Sequence, residues 1–149
     1  MKNKTQILIL DDSKDLLEAL NMFLEKDYTI TTTTSKNGLY KKLEFFKPDI
    51  IILDVFLDGQ PEGREICKQL KSDVEISSIP VLLMSANPAG LLNFEECKAD
   101  AILEKPFNLF KLSAIITSLT RSVKTKNIYL NKLSEMQIKS GIKNAYVCN

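Results

Sequence analysis

Histidine is absent from this chain of 149 residues, cysteine is scarce, and no apolar run is long. The three cysteines, Cys67, Cys97 and Cys148, are widely spaced, odd in number and form no CxxC pair. With no histidine to complete a ligand set, structural zinc is excluded as an expectation, and a disulfide framework with it. No stretch approaches the roughly 20 apolar residues of a membrane span. Lys2 and Lys4 precede an apolar segment, but that segment ends at Asp11, too soon for the core of a secretion signal. No internal repeat or low-complexity segment appears. These absences describe a soluble, reduced, cytoplasmic chain with no membrane partner.

The chain has enough apolar residues for one real core. Hydrophobic residues make up 44% of it, and a domain of this size buries roughly 70% of the surface its unfolded chain exposes. Charge nearly cancels overall but divides unevenly. Residues 1–120 carry 14 Lys and Arg against 18 Asp and Glu, whereas residues 121–149 carry 6 against 1. A mildly acidic body is followed by a basic tail. No helix-turn-helix or RNA-binding signature accompanies the tail's charge, so a nucleic-acid partner is not expected.

Short runs rich in Ile and Leu at 6–10, 50–53 and 80–84 do not alternate with polar residues, as expected of strands covered on both faces. Between them lie segments with helical spacing. Leu16, Leu20, Phe23 and Leu24 form a stripe behind Ser13, a candidate N-cap, and Leu39, Leu43 and Phe46 form another behind Ser35. Ile66, Cys67 and Leu70 mark a third helix, and Leu109, Leu112, Ile115, Ile116 and Leu119 mark the last. Tyr28–Thr34, full of threonine, reads as an edge strand. Asn87–Lys98 is the poorest helix, with Pro88 and Gly90 at its start, and is the candidate mobile element. The alternation predicts an α/β fold: a doubly wound five-stranded parallel sheet with helices on both faces. Residues 122–149 read as a basic extension, partly helical or disordered, in which Tyr129, Leu130, Leu133 and Met136 predict about two helical turns, ended by Gly141.

Four of the apolar runs stop at residues able to handle a phosphoryl group: Asp11-Asp12, Asp54, Ser85 and Lys105-Pro106. In a parallel sheet these endings share one edge, where open α/β sheets bind ligands. Three carboxylates, a hydroxyl and an ammonium would meet there. Asp11-Asp12 alone reads as a helix-capping turn. Clustered with Asp54, the pair would repel and favour its protonated forms without a cation, so a bound cation is the better reading. Mg²⁺ suits such a site, because it prefers oxygen ligands and uses one or two carboxylates plus phosphate oxygen. Asp58 and Glu62 read as solvent-facing loop acids.

Asp11-Asp12, Asp54, Ser85 and Lys105-Pro106-Phe107, in that order, resemble the response-regulator receiver domain of bacterial two-component systems, and Gly63-Arg64-Glu65-Ile66-Cys67 resembles a run common after the phosphorylated Asp. The resemblance covers roughly residues 4–120, and the receiver domain is set at 4–121. It implies a flavodoxin-like sheet of order 2-1-3-4-5, with Asp54 as acceptor of a phosphoryl group from a phosphohistidine on a partner histidine kinase or phosphotransfer protein. It also implies Mg²⁺ held by Asp12, Asp54 and the Phe56 backbone carbonyl, Asp11 acting through metal-bound water, and Ser85 and Lys105 on the phosphoryl oxygens. The Lys105-Pro106 peptide would be cis, and the output a surface presented to a downstream protein effector. A homodimer is left open, as is a longer regulator of which this chain is the receiver part.

The chain departs from the family pattern at three places. Ile102 stands where the family usually has the aromatic switch residue. Asp58 replaces a proline, and Gly63 comes one residue late, which together read as a one-residue insertion beside the site. Two rival readings remain. One is a receiver-like interaction module that works without phosphorylation. The other is a haloacid-dehalogenase-like phosphatase, which would carry an acid–base Asp at the position of Phe56.

Overall fold

Serines that precede each of the first two apolar stripes set the helix starts, and the Ile/Leu runs between them pair into strands. The computed structural model of the chain describes residues 3–139, with side chains through Met136. In order they form β1 (Gln6–Leu10), α1 (Lys14–Leu24), β2 (Thr29–Thr33), α2 (Lys36–Phe45), β3 (Ile50–Asp54), α3 (Glu62–Ser72) and β4 (Val81–Ser85). Two short 3₁₀ turns, Pro88–Leu91 and Phe94–Cys97, lead to β5 (Ala101–Glu104) and α4 (Leu109–Lys139). Ser13 Oγ accepts the Leu16 N–H and Ser35 Oγ the Gly38 N–H, so both predicted caps are made.

All five strands are parallel in the order β2-β1-β3-β4-β5, as expected. Chain direction across the sheet reverses between β1 and β3, which opens a crevice beyond their carboxyl ends. Alternate residues of the central strands feed two cores. Leu8, Leu10, Ile51 and Leu53 pack with Leu39 of α2 and with Ile66, Cys67 and Leu70 of α3. Ile7, Ile9, Ile50 and Ile52 pack on the other face with α1 and with Leu112 and Ile116 of α4. Burial on both sides explains why these runs do not alternate.

Three expectations are adjusted. The α1 stripe that is buried is Leu17, Leu20 and Leu24, with Leu16 and Phe23 only partly covered, because the face turned to the sheet is centred on the Leu17 side of the stripe read off the sequence. Between β4 and β5 there is no α-helix. Pro88 and Gly90 disfavour one, and left-handed Asn93 (φ 51°) and Lys98 (φ 59°) flank the second 3₁₀ turn. The last helix does not pause at residue 121. Between Leu109 and Lys139 the chain has no glycine or proline, and α4 runs through without a break. The predicted stop at Gly141 lies outside the described residues. Among the described residues, no helix is long and apolar enough to cross a membrane.

One glycine fixes the approach of α3 to the sheet. A Cβ on Gly63 would stand 2.0 Å from the Asp54 carbonyl oxygen and 2.7 Å from Val55 Cα, both backbone atoms that no side-chain rotation can move. Gly63→Ala is therefore expected to lower stability by about 3 kcal/mol, the upper end of ordinary overpacking. Urea unfolding measures it. A loss under about 1 kcal/mol would show that α3 can slide away from β3 freely.

Candidate functional site

The carboxyl ends of β1 and β3 bring three acids together. Asp11, Asp12 and Asp54 each offer a carboxylate oxygen, and these oxygens all lie within 4.8 Å of one another. Each acid is held differently. Asp11 is fully buried; its N–H donates to Thr33 O at 3.2 Å, and its Oδ1 accepts the Ser13 N–H at 2.9 Å, turning the chain into α1. Asp12 is exposed, and its Oδ2 accepts the Asp58 N–H at 2.9 Å. Asp54 is buried, with Oδ1 accepting the Phe56 N–H at 3.3 Å.

Lys105, carried to the same edge by β5, donates to Asp11 Oδ2 at 2.6 Å and to Asp54 Oδ2 at 2.9 Å. The Lys105-Pro106 peptide is cis. Burial pushes the Asp54 carboxyl above its ordinary range and the neighbouring Asp11 charge adds to this, while the bonds from Lys105 and the Phe56 N–H oppose it. Burial alone would lower the Lys105 ammonium, yet its two carboxylate partners outweigh it and hold the group above its ordinary value. Three carboxyl groups face one ammonium, an excess of acidic oxygen that a divalent cation would neutralise. The donors are all hard oxygens, which fits Mg²⁺ rather than a thiolate- or imidazole-seeking metal.

A cavity of about 310 Å³ opens beside the cluster, lined by Asp54, Phe56, Ala86, Asn87 and Lys105. A shallower groove of about 750 Å³ runs along α1, β2 and α2 but includes none of the clustered acids, so its size does not make it the reactive site. Asp11, Asp12, Asp54 and Lys105 are thus brought together, as expected from the strand endings. Ser85 is on the same edge but fully buried; its Oγ accepts the Asn87 N–H at 3.1 Å, and it does not line the cavity. Ile102 lies on the edge strand β5 and is 36% exposed.

The loop after Asp54 folds into a tight turn. Leu57 and Gln60 exchange two backbone hydrogen bonds of 2.9 Å around Asp58 and Gly59, which have φ of 50° and 77°. Two consecutive left-handed residues make the tight turn that Asp-Gly favours. The signal was present as the Asp58-Gly59 pair, and the consequence is that the Asp58 backbone, rather than its carboxylate, supports Asp12. The Asp58 and Glu62 side chains are exposed, as expected. Ala86 and Asn87 were missed as lining residues because nothing in a loop dipeptide marks which way it faces.

The model of the response regulator receiver domain matches residues 7–117. The chain belongs to the response-regulator receiver family. Histidine kinase P4 of Formosa agariphila is 32% identical over 148 residues, 97% of this chain and 10% of that protein. The heme response regulator HssR of Staphylococcus saprophyticus is 31% identical over 158 residues, covering 97% of this chain and 67% of that protein. A solved receiver domain of a signal transduction histidine kinase from Syntrophus aciditrophicus shares the fold with a TM-score of 0.70 at 25% identity, and covers 97% of each chain. This receiver therefore spans a tenth of the kinase's length and two thirds of the regulator's. Its relatives include response regulators, which are not classical enzymes.

Proposed function

We propose that this receiver accepts a phosphoryl group on Asp54 from a phosphohistidine of a partner histidine kinase or phosphotransfer protein, and so switches a protein-interaction surface. The observation that carries the reading is the Lys105 ammonium bridging Asp54 and Asp11 at the mouth of a cavity large enough for a phosphoryl group. An Asp54 oxygen attacks phosphorus, a P–O bond forms, and the P–N bond of the donor breaks, its imidazole leaving with the electron pair and taking up a proton. A carboxylate is a weak nucleophile, so positioning and charge neutralisation dominate the rate. Asp12, Asp54 and the Phe56 carbonyl would hold Mg²⁺, with Asp11 contributing through water. Bound there, Mg²⁺ would neutralise charge on the phosphoryl oxygens. Lys105 would exchange its Asp54 contact for a phosphoryl oxygen, and Ser85 would donate to another.

Catalysis in this reading is limited to the domain's own phosphorylation and its reversal. Residues 4–121 form the receiver domain and 122–149 a basic extension, and the chain works in the cytoplasm through contacts with a kinase and a protein effector. Incubation with acetyl phosphate and Mg²⁺ tests the site. Label is expected on the peptide containing Asp54 and lost when Mg²⁺ is chelated; label on any other residue would remove the assignment. Appreciable release of phosphate from small phosphomonoesters would favour a phosphatase instead.

Phe56 lines the cavity beside Asp54, where its ring would hinder the in-line water that removes the phosphoryl group. Phe56→Asn is expected to shorten the lifetime of the label about tenfold, less than the 10²–10⁴-fold that a fully positioned proton-transfer group contributes. An unchanged decay rate would show that the ring does not shield phosphorus.

A further inference from the structure

One side chain holds the segment that replaces a helix between β4 and β5. Arg64, in the first turn of α3, donates from its guanidinium to the carbonyl oxygens of Gly90 at 3.4 Å, of Leu92, and of Asn93 at 2.8 Å. It also stands 3.7 Å from Glu96. The planar fork satisfies acceptors that an α-helix would have paired internally. Its anchor is the acceptor strand itself, because the preceding Gly63 donates to Val55 O at 2.9 Å and abuts the Asp54 carbonyl.

Gly90, at the other end of the fork, rests directly on the site. A Cβ there would stand 2.9 Å from the Phe56 ring, 3.1 Å from Ser85 Oγ and 3.2 Å from Val55 Cγ1. Ser85 now accepts the Asn87 N–H and lies outside the cavity lining. To donate to a phosphoryl oxygen on Asp54, the hydroxyl has to turn toward the cavity, shifting one of the supports under Gly90. Ile102 has no ring to carry such a change outward.

We propose that Arg64 is a positioning residue that latches the Gly90–Asn93 segment against the unmodified site and lets it go when a phosphoryl group draws Ser85 inward. The inference rests on Asp54 as phosphoacceptor and supplies the regulation of that site. Since the latch favours the unmodified state, removing it must favour the modified one by the same free energy, and the label then decays more slowly because hydrolysis returns the site through the latched form. Exposed Leu92, 64% accessible, sits on the released segment.

The test compares the full native chain with Arg64→Ala, Arg64→Lys and Asp54→Asn, each with acetyl phosphate and Mg²⁺. Amide hydrogen exchange over 86–93, label half-life and melting temperature are read together. In the native chain, exchange over the segment rises on labelling. In Arg64→Ala it is already fast and changes little, and the label persists roughly threefold to tenfold longer, the equivalent of one net hydrogen bond. Lysine, able to reach one carbonyl, falls between and keeps the fold if alanine does not. An Arg64 that is only structural would lower the melting temperature without lengthening the label's life. Equal label half-lives in the native chain and the Arg64 variants, or no exchange change when the native chain is labelled, overturns the latch. A native chain that takes no more label than Asp54→Asn removes the acceptor reading instead, and any switch built on it.

Discussion

Asp54→Asn is expected to take at least about a hundredfold less label than the native chain from acetyl phosphate and Mg²⁺, since an amide offers no nucleophilic oxygen. The same substitution is expected to raise stability at neutral pH. Burial lifts the Asp54 carboxyl above its ordinary value despite the Lys105 and Phe56 bonds, so the folded state disfavours the ionised form. The sign follows from proton counting. Between the unfolded value of 3.8 and the raised folded value, the native state holds a proton that the unfolded state has lost. Native stability therefore falls as pH rises through that window, and Asp54→Asn loses this part of the slope. Thermal melting of both chains between mildly acid and neutral pH measures it. A less stable Asp54→Asn at neutral pH would mean that the pair with Lys105 outweighs the burial of the charge. Equal labelling of the two chains would move the acceptor elsewhere.

Lys105→Met has the opposite effect on stability. Its ammonium is the cation that the described structure places between fully buried Asp11 and buried Asp54, and removing one partner of a buried ion pair typically destabilises by about 3–5 kcal/mol. Acidification should recover part of the loss by protonating the orphaned carboxylates. Mg²⁺ should recover more, since a cation present at 100 times its dissociation constant adds about 2.7 kcal/mol to the folded state. In the native chain the Lys105 contribution is complete below 10.5, its unfolded value, and disappears only as pH rises through the raised folded value. At neutral pH the native chain therefore gains nothing from further protonation of Lys105. Labelling of Lys105→Met is expected to fall about a hundredfold, as for loss of one donor to a developing oxyanion. A variant as stable as the native chain without Mg²⁺ would show that the carboxylates are already neutralised by other means.

The segment after β4 shows where side chains decide what periodicity does not. Pro88 and Gly90 marked a poor helix, and the chain forms two 3₁₀ turns there. Their hold on the body comes from Arg64, 26 residues earlier in the chain than Gly90. A guanidinium's reach across space has no periodic signature. The same holds for Ser85, whose place at the end of β4 was legible but whose hydrogen bond to the Asn87 N–H was not. The Asp58-Gly59 turn lay between these extremes, since its residue pair signals a tight turn while its service to Asp12 depends on where the loop folds back. α4 outran its expectation because the sequence offers no breaker before Gly141, and spacing of apolar residues alone understated a helix whose residues 124–136 are exposed.

What the sequence by itself determined is the sheet and the meeting of its strand ends. Ile7–Leu10, Ile50–Leu53 and Val81–Met84 have to be buried on both faces, which requires parallel strands with crossover helices. Parallel strands then place Asp11, Asp12, Asp54 and Lys105 on one edge. What only the tertiary structure decided is how that edge is wired: Lys105 between two acids, Asp12 on a backbone N–H, Ser85 held back beneath Gly90, and Arg64 across three carbonyls. The division follows the forces involved. Apolar burial is non-directional and repeats with the backbone's period, so it is written along the chain. Hydrogen bonds and ion pairs are directional and form between residues far apart in sequence, so they exist only once the packing has set their distances.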